Sequence, residues 1–179
     1  MHQVVQEFIS FVAGEVMEPR FSFSKDAPEG YKAMHNIERY LLECGLAEDL
    51  ITLLKVRVSQ INGCAFCIDM HWKHSRALGE VEARLYSLDA WRECPYYSER
   101  ERAALSWAEA LTRVTDGHVP DSVYEEVHPH FTNKELADIS LAVATTNAWN
   151  RVVTASRMVP GTYTVAKEHP IEHASAVNG

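Results

Sequence analysis

No run of apolar residues in this 179-residue chain is long enough to cross a bilayer. The opening residues, Met1-His2-Gln3-Val4-Val5-Gln6-Glu7, lack the basic stretch of a secretory leader. Cytoplasm is therefore the expected compartment. Positive charge is scarce: 17 Lys and Arg against 25 Asp and Glu leave a formal net charge of −8. Phosphate backbones are bound by a basic footprint, so no nucleic acid is expected as a partner. The same deficit argues against an anionic membrane surface. Glycine-rich nucleotide loops, strand–turn–strand alternation, low-complexity tracts and internal repeats are all missing. Four cysteines are too few for a disulfide scaffold, and in a reducing compartment a close pair points to catalysis or metal binding.

What is present is helical periodicity, almost from end to end. Val4, Val5, Phe8, Ile9 and Val12 predict a short amphipathic helix. Residues 17–30, with two prolines and several turn formers, read as a loop. A helix over 31–44 stops at Gly45, and another runs from Glu48 to Ser59 with Leu50, Leu53, Leu54 and Val58 inward. Asn62-Gly63 is a break, and Asn62 reads as the N-cap of a helix to Leu78. A short helix is expected over 80–87. Ser98 with Glu101, and Thr132 with Glu135, are capping boxes. They predict helices to about Val114 and to about Met158, with Asp121–Val127 as a shorter one between. The expected fold class is all-α, one domain over residues 1–160 with its core motif at about 50–80. Residues 161–179 form a C-terminal tail, mobile or laid over a neighbour.

The chemistry-bearing stretch is Cys64-Ala65-Phe66-Cys67, followed four residues later by His71. With a helix starting near Asn62, Cys64 falls in its first turn and Cys67 in its second. Free backbone N–H groups and the helix dipole favour a thiolate there, which makes the sulfur nucleophilic near neutral pH. Spacings of three and seven put Cys64, Cys67 and His71 on one helix face, with His71 in reach of a thiol proton directly or through a water. One cysteine attacks, the other resolves, and a disulfide remains.

A metal is the rival use of these side chains, with His74 as a fourth ligand. Cys64 to His74 spans roughly 15 Å of helix axis at 1.5 Å per residue, whereas zinc ligands lie within about 2.0–2.3 Å of the ion. One straight helix cannot supply all four, so no metal is expected on this helix alone; a partial site completed by another segment or subunit is the open alternative. Cys44 and Cys94 read as buried or incidental thiols. His118, His128 and His130 read as solvated, and Trp91, Trp107 and Trp149 as core or interface residues.

The segment Leu53-Leu54-Lys55-Val56-Arg57-Val58-Ser59-Gln60-Ile61-Asn62-Gly63-Cys64-Ala65-Phe66-Cys67-Ile68-Asp69-Met70-His71 closely resembles the AhpD-like alkylhydroperoxidase branch of the carboxymuconolactone decarboxylase superfamily. Trp91-Arg92-Glu93, Glu101-Arg102-Ala103-Ala104-Leu105 and Asn147-Ala148-Trp149-Asn150-Arg151 are similar to later signatures of that branch, so the resemblance covers about residues 20–160. It implies an AhpD-like helical domain assembled as a homo-oligomer (trimer or hexamer). It also implies a cofactor-free thiol peroxidase that takes a hydroperoxide and an external dithiol reductant. Carried over residue by residue, it makes Cys67 the peroxidatic thiol, Cys64 its disulfide partner and His71 the relay histidine. The relay carboxylate of the branch falls on Thr52, which cannot act as a base but can hold a water or orient His71. Glu48, one turn earlier, is a candidate support; the plainer reading leaves Glu48 and Asp69 in solvent.

Three functions follow. The first is a thiol-dependent peroxidase or oxidoreductase. The second is a decarboxylase-type enzyme acting on a cyclic lactone acid, with Arg57, Arg151 and His71 as a carboxylate clamp. The third is a redox-sensing or binding module whose disulfide state alters an interface.

Overall fold

The computed structural model describes residues 18–165, so the helix expected between Val4 and Val12 and the end of the tail lie outside the described residues. All regular structure among the described residues is helical: α1 (Phe23–Asp26), α2 (Pro28–Glu43), α3 (Glu48–Asn62), α4 (Ala65–Ala77), α5 (Glu82–Ser87), α6 (Glu99–Thr112), α7 (Asp121–Val127) and α8 (Asn133–Ser156). Short 3₁₀ turns follow α5, α6 and α7. No helix among these residues is long and apolar enough to cross a membrane.

Helix α3 is the axis of the molecule, packed against α4, α6 and α8. Beyond the four inward residues expected, Ile51, Thr52, Val56, Arg57 and Ser59 are buried as well. A helix hydrophobic on one face alone would leave these exposed; α3 is covered on several sides. Leu53, Leu54, Val56 and Val58 meet Leu41, Leu88, Leu105, Ile139 and Val143 in one core. Each such side chain contributes roughly 1.5–3 kcal/mol on burial, so this core fixes where α4 and α8 sit.

Both capping boxes form: Ser98 and Thr132 accept from the amides of Glu101 and Glu135, whose carboxylates reach back to the cap amides. Residues 17–30 are not a simple loop. They contain α1, and α2 begins at Pro28, the first helical position, where proline's missing N–H costs nothing. The expected ends at Val114 and Met158 fall two residues earlier, at Thr112 and Ser156. Arg157, in the left-handed region at φ 56°, closes α8.

The break before the cysteines also differs from expectation. Asn62 is the last residue of α3, not a cap for α4. Gly63 takes φ 64°, a left-handed conformation that suits glycine, and its N–H returns to Gln60. Only Gly63 and Cys64 separate the two helices, so Cys64 is itself the N-cap of α4. Cys67 therefore lies in the first turn rather than the second.

Candidate active site

The first amides of α4 have no partner one turn back, and the positive end of the helix dipole lies there. Both sulfurs sit at that end. Cys64 and Cys67 are buried, 2% and 1% exposed, with their sulfurs 2.6 Å apart and not joined in a disulfide. The two thiols titrate as one unit. A hydrogen bond from Cys67 brings Cys64 down to about 6 against the opposing effect of burial. No side-chain cap bond forms at Cys64, yet the Cys67 amide and the Thr154 hydroxyl also favour charge on it. Cys67 moves the other way: its contact with Cys64, then burial, hold its proton on, while Asn150 opposes them. The pair gives up one proton readily and keeps the second.

Helix α8 supplies what the cysteine segment cannot. Asn150, 2% exposed, donates to Ser59 Oγ at 3.1 Å and accepts from Asn62 Nδ2 at 2.8 Å. Asn62 Nδ2 also donates to Asn147 Oδ1 at 2.9 Å. These bonds tie the end of α3 to α8 and hold Asn150 beside Cys67. Sequence reasoning does not single out Asn150 or Thr154 as site residues, although Asn150 lies within Asn147-Ala148-Trp149-Asn150-Arg151. Polar residues on a mostly buried helix are a signal only once the opposing helix is known. Trp149, expected in the core or an interface, packs with Met70 and Tyr163 against Cys64, Phe66, Cys67 and Val153.

His71 is buried one turn beyond Cys67. Burial, then the charges of Lys55 and His74, hold its imidazole well below the usual range, so it is neutral and able to accept a proton at physiological pH. The supports expected for it are arranged otherwise. Thr52 is buried, but its hydroxyl donates to the Glu48 carbonyl at 2.8 Å, so it does not donate to His71. Glu48 is exposed, and its charge acts on His74 rather than on His71. Asp69 is not simply solvated. It pairs with Lys73 at 2.8 Å and accepts from the Gly161 amide at 3.1 Å.

His74 turns to the Tyr163 hydroxyl, and Lys73 Nζ donates to the Tyr163 carbonyl at 2.8 Å. The first residues of the expected tail thus lie on α4 of the same chain. Among the described residues no group of three or more His, Cys, Asp or Glu is placed to hold a metal ion. The carboxylate clamp is not assembled either. Arg57 is buried, bonded to Glu109 Oε1 at 2.7 Å and to Asp89. Arg151 is exposed and bonded to Asn147.

The sequence profile of the carboxymuconolactone decarboxylase family matches residues 26–110. The uncharacterized protein YdfG of Bacillus subtilis is 43% identical over 136 residues, 76% of this chain and 92% of YdfG. A protein of unknown function from Agrobacterium tumefaciens, described as a candidate AhpD antioxidant defence protein, is 38% identical with a TM-score of 0.79, over 82% of this chain and 100% of the other. An uncharacterized peroxidase-related protein from Ralstonia eutropha with an alkylhydroperoxidase AhpD core shares the fold at 19% identity and a TM-score of 0.69, over 90% of this chain and 87% of the other. An all-α chain with this coverage belongs to the carboxymuconolactone decarboxylase family, in its AhpD-like branch.

Proposed function

We propose that this chain is a thiol-dependent peroxidase that reduces hydroperoxides through a Cys64–Cys67 dithiol–disulfide cycle. The observation that carries the reading is the sulfur pair itself: 2.6 Å apart, at a helix N-terminus, with a neutral histidine one turn on. In the first step a thiolate attacks the nearer peroxide oxygen. An S–O bond forms, the O–O bond breaks, and the alkoxide takes the proton that the thiol gave up, through His71. The sulfur becomes a sulfenic acid. The second thiol then attacks that sulfur, the S–S bond forms and water leaves. An external dithiol, available in a reducing cytoplasm, restores the pair by two thiol–disulfide exchanges and is itself oxidised to a disulfide.

The resemblance gives the attack to Cys67 and the resolving role to Cys64. A second assignment, with Cys64 attacking, is favoured by its thiol lying at about 6 while Cys67 holds its proton. Rapid mixing of each Cys→Ser variant with hydrogen peroxide and an organic hydroperoxide, with sulfenic acid trapped by mass spectrometry, separates the two. Sulfenic acid on Cys67 in C64S supports the first assignment; sulfenic acid on Cys64 in C67S supports the second. Absence of peroxide loss in the wild type would overturn the peroxidase reading; reversible oxidation of the pair without that turnover would leave the redox-sensing module.

The decarboxylase alternative is disfavoured by the commitment of Arg57 to Glu109 and Asp89. Lactone-acid decarboxylation that survives alkylation of both cysteines would restore it.

A further inference from the structure

Lys55 lies on α3 where that helix meets α4. The two helices pack along each other after the turn at Gly63, and the Lys55 charge acts on both His71 and His74. The ammonium is itself held. Glu38 of α2 binds Lys55 Nζ through Oε2 at 2.5 Å, with side chains 14% and 21% exposed for Lys55 and Glu38. The other carboxylate oxygen, Oε1, accepts from Trp149 Nε1 at 3.0 Å. That indole packs against the cluster containing Cys64 and Cys67. One carboxylate of α2 thus links α3 and α8 beside the dithiol.

We propose that Glu38 and Lys55 are positioning residues for the dithiol chemistry: Glu38 fixes the Lys55 ammonium where its charge acts on His71. This rests on the peroxidase reading for its purpose, though not for its test. A cation whose charge acts on His71 disfavours the imidazolium. The ring is then a free acceptor when the thiol loses its proton, and a strong acid when the departing alkoxide needs one. The groups around it are Lys55 and, behind it, Glu38; His74 and Cys67 on its own helix; and Glu48 and Tyr163, which face His74.

The full chain carrying K55M, K55R, E38Q, or K55M with E38Q tests this. Two readouts need no peroxide: the His71 imidazole titration by NMR, and the pH dependence of iodoacetamide alkylation of the pair. K55M is expected to raise the His71 titration by about half to one pH unit and to move the alkylation profile. K55R restores both. E38Q shifts them only while Lys55 is present, so the double variant matches K55M. Wild-type titration in K55M, or an E38Q effect that persists without Lys55, overturns the proposal. Circular dichroism reports folding; should K55M unfold, wild-type titration in a folded E38Q overturns it in the same way. If the titrations shift but the wild type reduces no peroxide, the functional reading fails and the positioning role stands.

Discussion

The Asn150 side chain stands between Asn62 and Ser59, accepting from one at 2.8 Å and donating to the other at 3.1 Å. Both partners lie on α3, one at its last residue, so the turn that presents the cysteines is pinned to α8. The same amide opposes the forces that hold the proton on Cys67.

Asn150→Ala is therefore expected to do two things at once. It leaves buried Ser59 without its partner and costs about 1–3 kcal/mol, read from urea unfolding. It also removes a group that favours thiolate on Cys67, so alkylation of that thiol moves to higher pH. A substitution felt in stability alone would mean that Asn150 only braces the turn.

The acidity of the pair is mutual. Wild-type alkylation should follow an apparent pKa near 6, set by the hydrogen bond from Cys67 to Cys64. Cys67→Ala removes that donor, and Cys64 returns toward the ordinary thiol value of about 8.5. Cys64→Ala should do the reverse for Cys67, whose proton is held chiefly by Cys64. Stopped-flow iodoacetamide labelling with peptide mass spectrometry reads both. Unchanged profiles in the two single variants would show that helix position, not the partner, sets reactivity.

Arg57 and Glu109 are buried together, 5% and 4% exposed. The carboxylate also receives Trp91 Nε1 at 2.9 Å and Arg92. Burial pushes Glu109 up, but its hydrogen bonds win and hold it below the usual carboxylate range. Arg57→Met breaks a buried pair and should cost about 3–5 kcal/mol, while the alkylation rate per folded molecule stays unchanged. A substrate clamp would behave oppositely, losing activity with little loss of stability.

His71 makes stability depend on pH. Unfolded, an imidazole charges near pH 6.5, while the buried ring resists the proton. The unfolded state therefore binds protons first, and stability is full above about 6.5 and falls as pH drops toward the lower folded value. Urea midpoints measured from pH 7.5 to 5.5 should show this slope, and His71→Asn should flatten it. A separate acid loss belongs to Glu135, which the Thr132 amide, Arg100 and the Thr132 hydroxyl hold at about 2. That contribution is complete above the unfolded carboxylate value of about 4.3 and disappears as pH falls toward 2.

Much of this architecture was legible locally. The capping boxes at Ser98–Glu101 and Thr132–Glu135 marked two helix starts correctly, because a cap is a contact between residues three apart. The Cys64–Cys67–His71 spacing likewise placed Cys67 and His71 on one helix, with Cys64 at its cap. The boundary between α3 and α4 was misread because asparagine suits both a cap and a helix end, and the left-handed Gly63 decided between them. Pro28 was read as loop because a proline that opens a helix looks, without its context, like one that forbids it.

The sequence by itself determined the helical class, the caps, the tight turn at Gly63 and the close spacing of Cys64, Cys67 and His71. These depend on periodicity and on neighbours within a turn. Tertiary structure alone decided which thiol is the more acidic, that Asn150 and Thr154 act on the sulfurs, that Arg57 is spent on Glu109, and that the charge of Lys55 bears on His71. Each depends on contacts between helices up to 111 positions apart, as between Glu38 and Trp149. Burial there turns a weak polar preference into a specific proton state, and no local pattern encodes which side chains will share that burial.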